Sequence, residues 1–194
     1  MNEPREFFLP RGVNLAYRPV MHKLIGSRYS EPPDEFWSRL YEKLAVPQSN
    51  IFPMVTPVDQ ETIRAYFNAG ILVVHPERGL LRRWPPCFEV LCCDSVLKEM
   101  SVRDRRKQIF LHQAALTGAI LTHLDRSEMM ELPEVYNYPL FLHQQMPARL
   151  RPVSLDSLVT LRYDILFADP SWGEELRDSS QILQWFKQRF PAKR

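Results

Sequence analysis

Apolar residues recur at helical spacing between Asp34 and Leu44, where Phe36, Trp37, Leu40, Tyr41 and Leu44 share a face. Pro32, Pro33 and Asp34 supply start signals and Pro47 a stop, so the pattern predicts a helix. Before it, Phe7 to Gly12 reads as a turn and Val13 to Tyr17 as a short alternating strand that Pro19 terminates. A short helix is expected over Asp59 to Ala65, then a buried strand over the apolar run Tyr66 to Val74. Helical patterns return over Glu77 to Trp84 and Phe88 to Met100, with Pro85 and Pro86 expected to break them, and over Val102 to Leu124. A strand near Met129 to Leu132, a loop through Asn137, Tyr138 and Pro139, a capped turn over Ser154 to Leu158 and an amphipathic helix from Ser180 to Phe190 complete the reading.

Strands interleaved with helices point to an α/β fold, and no repeat or shift of composition divides the chain, so residues 1–194 read as one domain. The 17 Pro against 6 Gly invert average usage and predict rigid, irregular but ordered connections. A balance of 25 Lys and Arg against 23 Asp and Glu, net +2, is too small to imply nucleic acid or an anionic membrane as a partner of the whole chain; any anion site must be local. No run approaches the ~18 continuous apolar residues of a membrane span. Cys87, Cys92 and Cys93 match neither a disulfide framework nor C-x-x-C spacing, and read as reduced thiols of a cytoplasmic protein.

The segment Tyr66-Phe67-Asn68-Ala69-Gly70-Ile71-Leu72-Val73-Val74 resembles the F-N-[AS]-G strand of GT-A-fold nucleotide-diphospho-sugar glycosyltransferases. Asn offers both a donor and an acceptor to sugar hydroxyls, and Gly lets backbone approach a ligand; the same residues also suit a plain turn entering a strand. Further segments resemble the family in order: Glu3 to Pro10, Leu15 to Val20 with His22, Leu24 to Ser27, Asn137-Tyr138-Pro139-Leu140-Phe141-Leu142-His143, Arg162-Tyr163-Asp164, and Phe167 with Asp169, Pro170 and Trp172. The resemblance covers nearly the whole chain and implies the C-terminal portion of that fold, a partial GT-A-like mixed sheet flanked by helices. No Asp-x-Asp occurs in the sequence, although the family uses that pair to hold Mn²⁺ or Mg²⁺ against the donor diphosphate. An N-terminally truncated chain is the expectation, either self-associating as a homo-oligomer or pairing with a separate N-terminal half.

The resemblance implies a nucleotide sugar as ligand, with Asn68 and Gly70 at the sugar, Asn137 and His143 lining it, and His143 as the candidate metal contact. His112 and Gln113 fall where relatives present a polar pair to sugar or acceptor; a polar pair on a helix fits them equally. Arg162, like Arg18, offers a planar fork to phosphate, or to a structural carboxylate. Arg103, Arg105, Arg106 and Lys107 read as a solvated helix start rather than a nucleic-acid patch.

Overall fold

The structure, a computed structural model, describes residues 3–164 and 180–190, so the family-like tail at Phe167, Asp169, Pro170 and Trp172 lies outside the described residues. The chain divides into two compact units, Phe7–Glu131 and a second formed from Leu132 onward with the first six residues.

In the first unit, β1 (Leu15–Pro19) is the middle strand of a three-stranded mixed sheet, antiparallel to β4 (Phe67–Val74) and parallel to β5 (Met129–Glu131). Every residue of β1 is buried, as a central strand covered on both faces requires. Helix α1 (Glu35–Lys43) starts where the sequence predicts: the Asp34 carboxylate accepts the Trp37 amide at 2.9 Å, and Phe36, Trp37, Leu40 and Tyr41 face inward. The Trp37 indole donates to the Ile25 carbonyl and meets Tyr66 edge-on at 5.1 Å, which joins the helix to the chain entering β4. Helix α4 (Arg105–His123), capped by Asp104, packs on β4 and is buried almost all round from Leu111 to Leu121. The mixed sheet with helices against it bears out the α/β class read from the sequence.

Three local expectations are overturned, one of them the single helix over Phe88 to Met100, which breaks at Asp94. Residues 59–65 are not helical: β2 (Pro53–Val55) pairs antiparallel with β3 (Thr62–Arg64). Ile63 and Ala65 are buried while Thr62 is exposed, a two-residue alternation that belongs to a strand. The Asp59 carboxylate, read as a helix start, instead takes the Thr56 hydroxyl and holds the hairpin turn, where Gln60 is left-handed. Nor do Pro85 and Pro86 break the helix, because α2 (Leu80–Cys93) runs through both. Neither proline can donate to the carbonyl four residues back, on Leu81 and Arg82, and these four residues are all exposed, where solvation of the carbonyls offsets the lost bonds.

Helix α3 (Ser95–Arg103) is set by Asp94, which accepts the Val96 and Leu97 amides at 3.1 Å and also binds Arg39 (2.9 and 3.1 Å) and Lys43 (3.1 Å) of α1. The Arg39 guanidinium, joined by the Leu97 amide and Lys43, holds this buried carboxyl well below the usual carboxylate range, against the opposing effect of burial.

In the second unit, β6 (Tyr138–Pro139) and β7 (Leu161–Arg162) form a short parallel pair where the sequence suggested only a loop. The Ser154 hydroxyl caps the turn Leu155–Ser157, as its position predicts. Ser180 caps α5 (Gln181–Arg189), whose first amides, on Gln181 and Ile182, donate to Asp156 at 2.8 and 3.1 Å. Those two amides lower the Asp156 pKa. Among the described residues, no helix is long and apolar enough to cross a membrane.

Candidate functional site

The Asn68–Gly70 segment forms a bulge in β4. The two-residue step from Tyr17 to Pro19 in β1 is matched by the five-residue step from Leu72 to Phe67 in β4, so residues 68–71 leave the ladder. Asn68 is buried, and its Oδ1 accepts the Gly70 amide at 2.8 Å, folding the bulge onto its own side chain. Its Nδ2 donates to no described group. Gly70, two residues on, is exposed.

The amides of Phe67 and Ala69 are answered from α4: Thr117 Oγ1 accepts the first at 3.2 Å and Gln113 Oε1 the second at 3.1 Å. Thr117 in turn donates to the Gln113 carbonyl at 3.2 Å. Gln113 is thereby brought beside Asn68 and Gly70, with its acceptor oxygen committed to backbone. Its neighbour His112, ~100° further round the helix, is exposed; its Nδ1 lies 2.9 Å from the Ile109 carbonyl and its ring stacks on Trp84 at 6.4 Å. The Trp84 indole donates to the His112 carbonyl at 2.7 Å, tying α2 to α4. Arg18 is buried and ion-paired with Glu131 at 3.1 Å.

The second unit gathers Asn137, His143 and Arg162 around β6 and β7. Asn137 is buried and left-handed (φ 54°), its amide donates to Thr160 Oγ1 at 2.7 Å, and its side-chain Nδ2 has no hydrogen-bond partner among the described residues. Tyr138 follows, with its hydroxyl 2.8 Å from His143 Nδ1. Burial pushes the Tyr138 pKa up to about 12, with Arg151 opposing, so the hydroxyl stays protonated and donates whenever Nδ1 carries no proton. Arg162 grips Asp164 through Nε and Nη2 and lies over the Phe141 ring at 5.7 Å, so its fork holds a carboxylate of its own chain.

Sequence reasoning missed a depression of about 340 Å³ in this unit, lined by Glu134, Tyr138, Arg149, Arg151, Ser157 and Leu158 among others. Arg151 is fixed in its wall by the Met146 and Gln144 carbonyls, both accepting at 2.8 Å, which orient the guanidinium without neutralising it. The available signal was the pair of arginines two apart between Pro147 and Pro152.

The described residues do not fit Mn²⁺ or Mg²⁺. Such ions take several hard oxygen ligands, and among the described residues no three His, Cys, Asp or Glu side chains converge. The nitrogen of His143 faces a hydroxyl, while Asp94, Glu131 and Asp164 are each held by arginine. Cys87, Cys92 and Cys93 are free thiols, and burial raises the first two.

A family model described as the Rhodobacterales glycosyltransferase domain matches residues 20–123, more than half of the chain. The match spans Asn68, Gly70, His112 and Gln113, and ends before Asn137, His143 and Arg162. Neither a curated protein nor a solved structure matches the chain.

Proposed function

We propose that this chain, which belongs to the Rhodobacterales glycosyltransferase domain family, binds the sugar of a nucleotide-diphospho-sugar donor and takes part in its transfer to an acceptor. The observation that carries the reading is the bulge at Asn68–Gly70 within the matched region. A strand that leaves its ladder beside a buried amide offers a backbone turn and a side-chain donor together, the combination that sorts sugar hydroxyls. In this reading Asn68 Nδ2 donates to a hydroxyl, Gly70 admits the ring close to backbone, and Gln113 holds the bulge in shape. In the second unit, Asn137 offers a side-chain Nδ2 with no partner among the described residues, and Tyr138 orients His143.

A non-catalytic interaction module is the second reading, and the donor set favours it. The sequence has no Asp-x-Asp, and Asp94, Glu131 and Asp164 are each occupied by an arginine. Carboxylates from outside the described residues would have to hold any ion at the diphosphate.

Thermal unfolding with a panel of nucleotide-diphospho-sugars and Mn²⁺ or Mg²⁺ tests the proposal, because a ligand that binds only the folded state raises Tm. One nucleotide sugar is expected to raise the Tm of the chain and to fail with Asn68→Ala. A cooperative melt that no nucleotide sugar shifts, with either ion, would overturn donor binding and leave the interaction module. Binding without turnover of a labelled donor would separate sugar recognition from catalysis.

A further inference from the structure

Helix α2 carries more apolar surface than its packing uses. Leu80 and Leu91 are buried, yet Leu81 is 47% exposed, Phe88 36% and Val90 45%. Leu81, Pro85 and Phe88 are spaced to form one stripe along the helix. Ile109 on α4 and Val102 at the end of α3 are exposed as well, at 50% and 78%. Such a concentration of bare aliphatic and aromatic groups within thirty residues marks a surface that meets something other than water.

The charges of the same stretch indicate what that is. Residues 80–109 hold seven Lys and Arg against four Asp and Glu, more than the whole surplus of +2 carried by the chain. Two of the four acids, Asp94 and Asp104, are helix caps turned to backbone amides, and Glu99 is paired with Arg103. Arg82, Arg83, Arg105 and Arg106 are exposed and make no ion pair among the described residues. Arg105 and Arg106 also sit in the first turn of α4, which has no acidic residue, so the helix dipole opposes them. Among the described residues no carboxylate pairs with either, whereas an external layer of anions would.

We infer that α2 and the start of α4 form an interfacial membrane-binding surface for anionic phospholipid, with Leu81 and Phe88 entering the headgroup and acyl boundary and Arg82, Arg83, Arg105 and Arg106 meeting lipid phosphates. Prolines 85 and 86 set the depth. The Leu81 and Arg82 carbonyls they leave without amide partners need water, so the helix lies in the hydrated interface rather than the hydrocarbon. Arginine stems reach along apolar surface while their heads stay at the phosphates. The surface would hold a sugar-transferring domain against a lipid leaflet without any spanning segment.

Sedimentation of the full chain with vesicles tests this, using phosphatidylcholine alone and phosphatidylcholine mixed with phosphatidylglycerol. The chain is expected to pellet with the mixed vesicles only, and to be released as salt rises. Arg82→Gln with Arg83→Gln is expected to weaken partitioning about tenfold or more. Leu81→Ser with Phe88→Ser is expected to abolish it while leaving the melt cooperative, since both side chains are exposed. A chain that stays in solution with phosphatidylglycerol vesicles overturns the inference, as does pelleting that the serine variant does not change. So does a concentration-dependent dimer that the serine variant dissolves without any vesicle binding, which would assign the stripe to a second copy.

Discussion

Asn68 and Asn137 are both buried amides where a strand begins, and the fold holds them in opposite ways. At Asn68 the side chain does the work of backbone: Oδ1 takes the Gly70 amide and keeps the bulge closed, while Thr117 and Gln113 answer the flanking amides. At Asn137 the backbone does the work itself, with a left-handed φ of 54° and an amide bonded to Thr160, and the side-chain Nδ2 is left uncommitted. A residue of the first kind cannot be removed without disturbing the loop that carries it. One of the second kind can lose its amide while the fold stands, so its contribution to binding can be separated from stability.

The comparison is broken most severely from behind β4. Thr117→Val keeps the shape of the side chain but leaves the buried Phe67 amide without an acceptor, an expected loss of about 1–3 kcal/mol in urea unfolding. An unchanged midpoint would mean that the α4 side chains do not support the bulge. Asp94 extends the Asn68 kind to a charge, since it caps α3 while binding Arg39 and Lys43. Asp94→Ala is expected to cost roughly 2 kcal/mol as a lost cap.

Because the Asp94 pKa is lowered on folding, its stabilisation is full above the ordinary carboxylate pKa of ~4 and is lost as pH falls toward the depressed folded value. Stability measured against pH should therefore decline less steeply on the acid side in Asp94→Asn than in the unaltered chain. Equal acid slopes would remove Asp94 as a cause.

Smaller effects sharpen the contrast between the two asparagines. Asn68→Ala loses one hydrogen bond and should cost about 1 kcal/mol together with any nucleotide-sugar shift in Tm. Asn137→Gly suits the left-handed backbone and removes a side chain whose Nδ2 has no partner among the described residues, so it should cost less stability than Asn68→Ala, while a ligand shift that depends on Nδ2 disappears. If both variants lose stability equally, the distinction between them fails.

The same physics decided which parts of the fold were legible in advance. Helix α1 could be read because its cap, apolar face and proline stop all act within a few residues, and Ser154 could be read as a cap for the same reason. Residues 59–65 misled because Asp59 suits a helix start and a turn equally, and only the pairing of Thr62–Arg64 with Pro53–Val55 selects the turn. Pro85 and Pro86 misled because a proline removes a fixed number of hydrogen bonds, whereas packing on α4 supplies compensation that no local rule contains. The outer edge of β4 is in part answered by Gln113 and Thr117, two polar residues on a helix more than forty positions away.

By itself the sequence determined the α/β class, the start of α1 at Asp34, the strand that carries Asn68 and Gly70 and the lack of an Asp-x-Asp, because each depends on residue type and short-range periodicity. Tertiary structure alone decided that Asn68–Gly70 is a bulge, that Gln113 turns inward while His112 turns out, that Arg162 is held by Asp164, and that Leu81 and Phe88 stay bare. Those outcomes depend on which distant groups meet, and hydrogen-bond partners and burial are properties of that meeting rather than of any single stretch of chain.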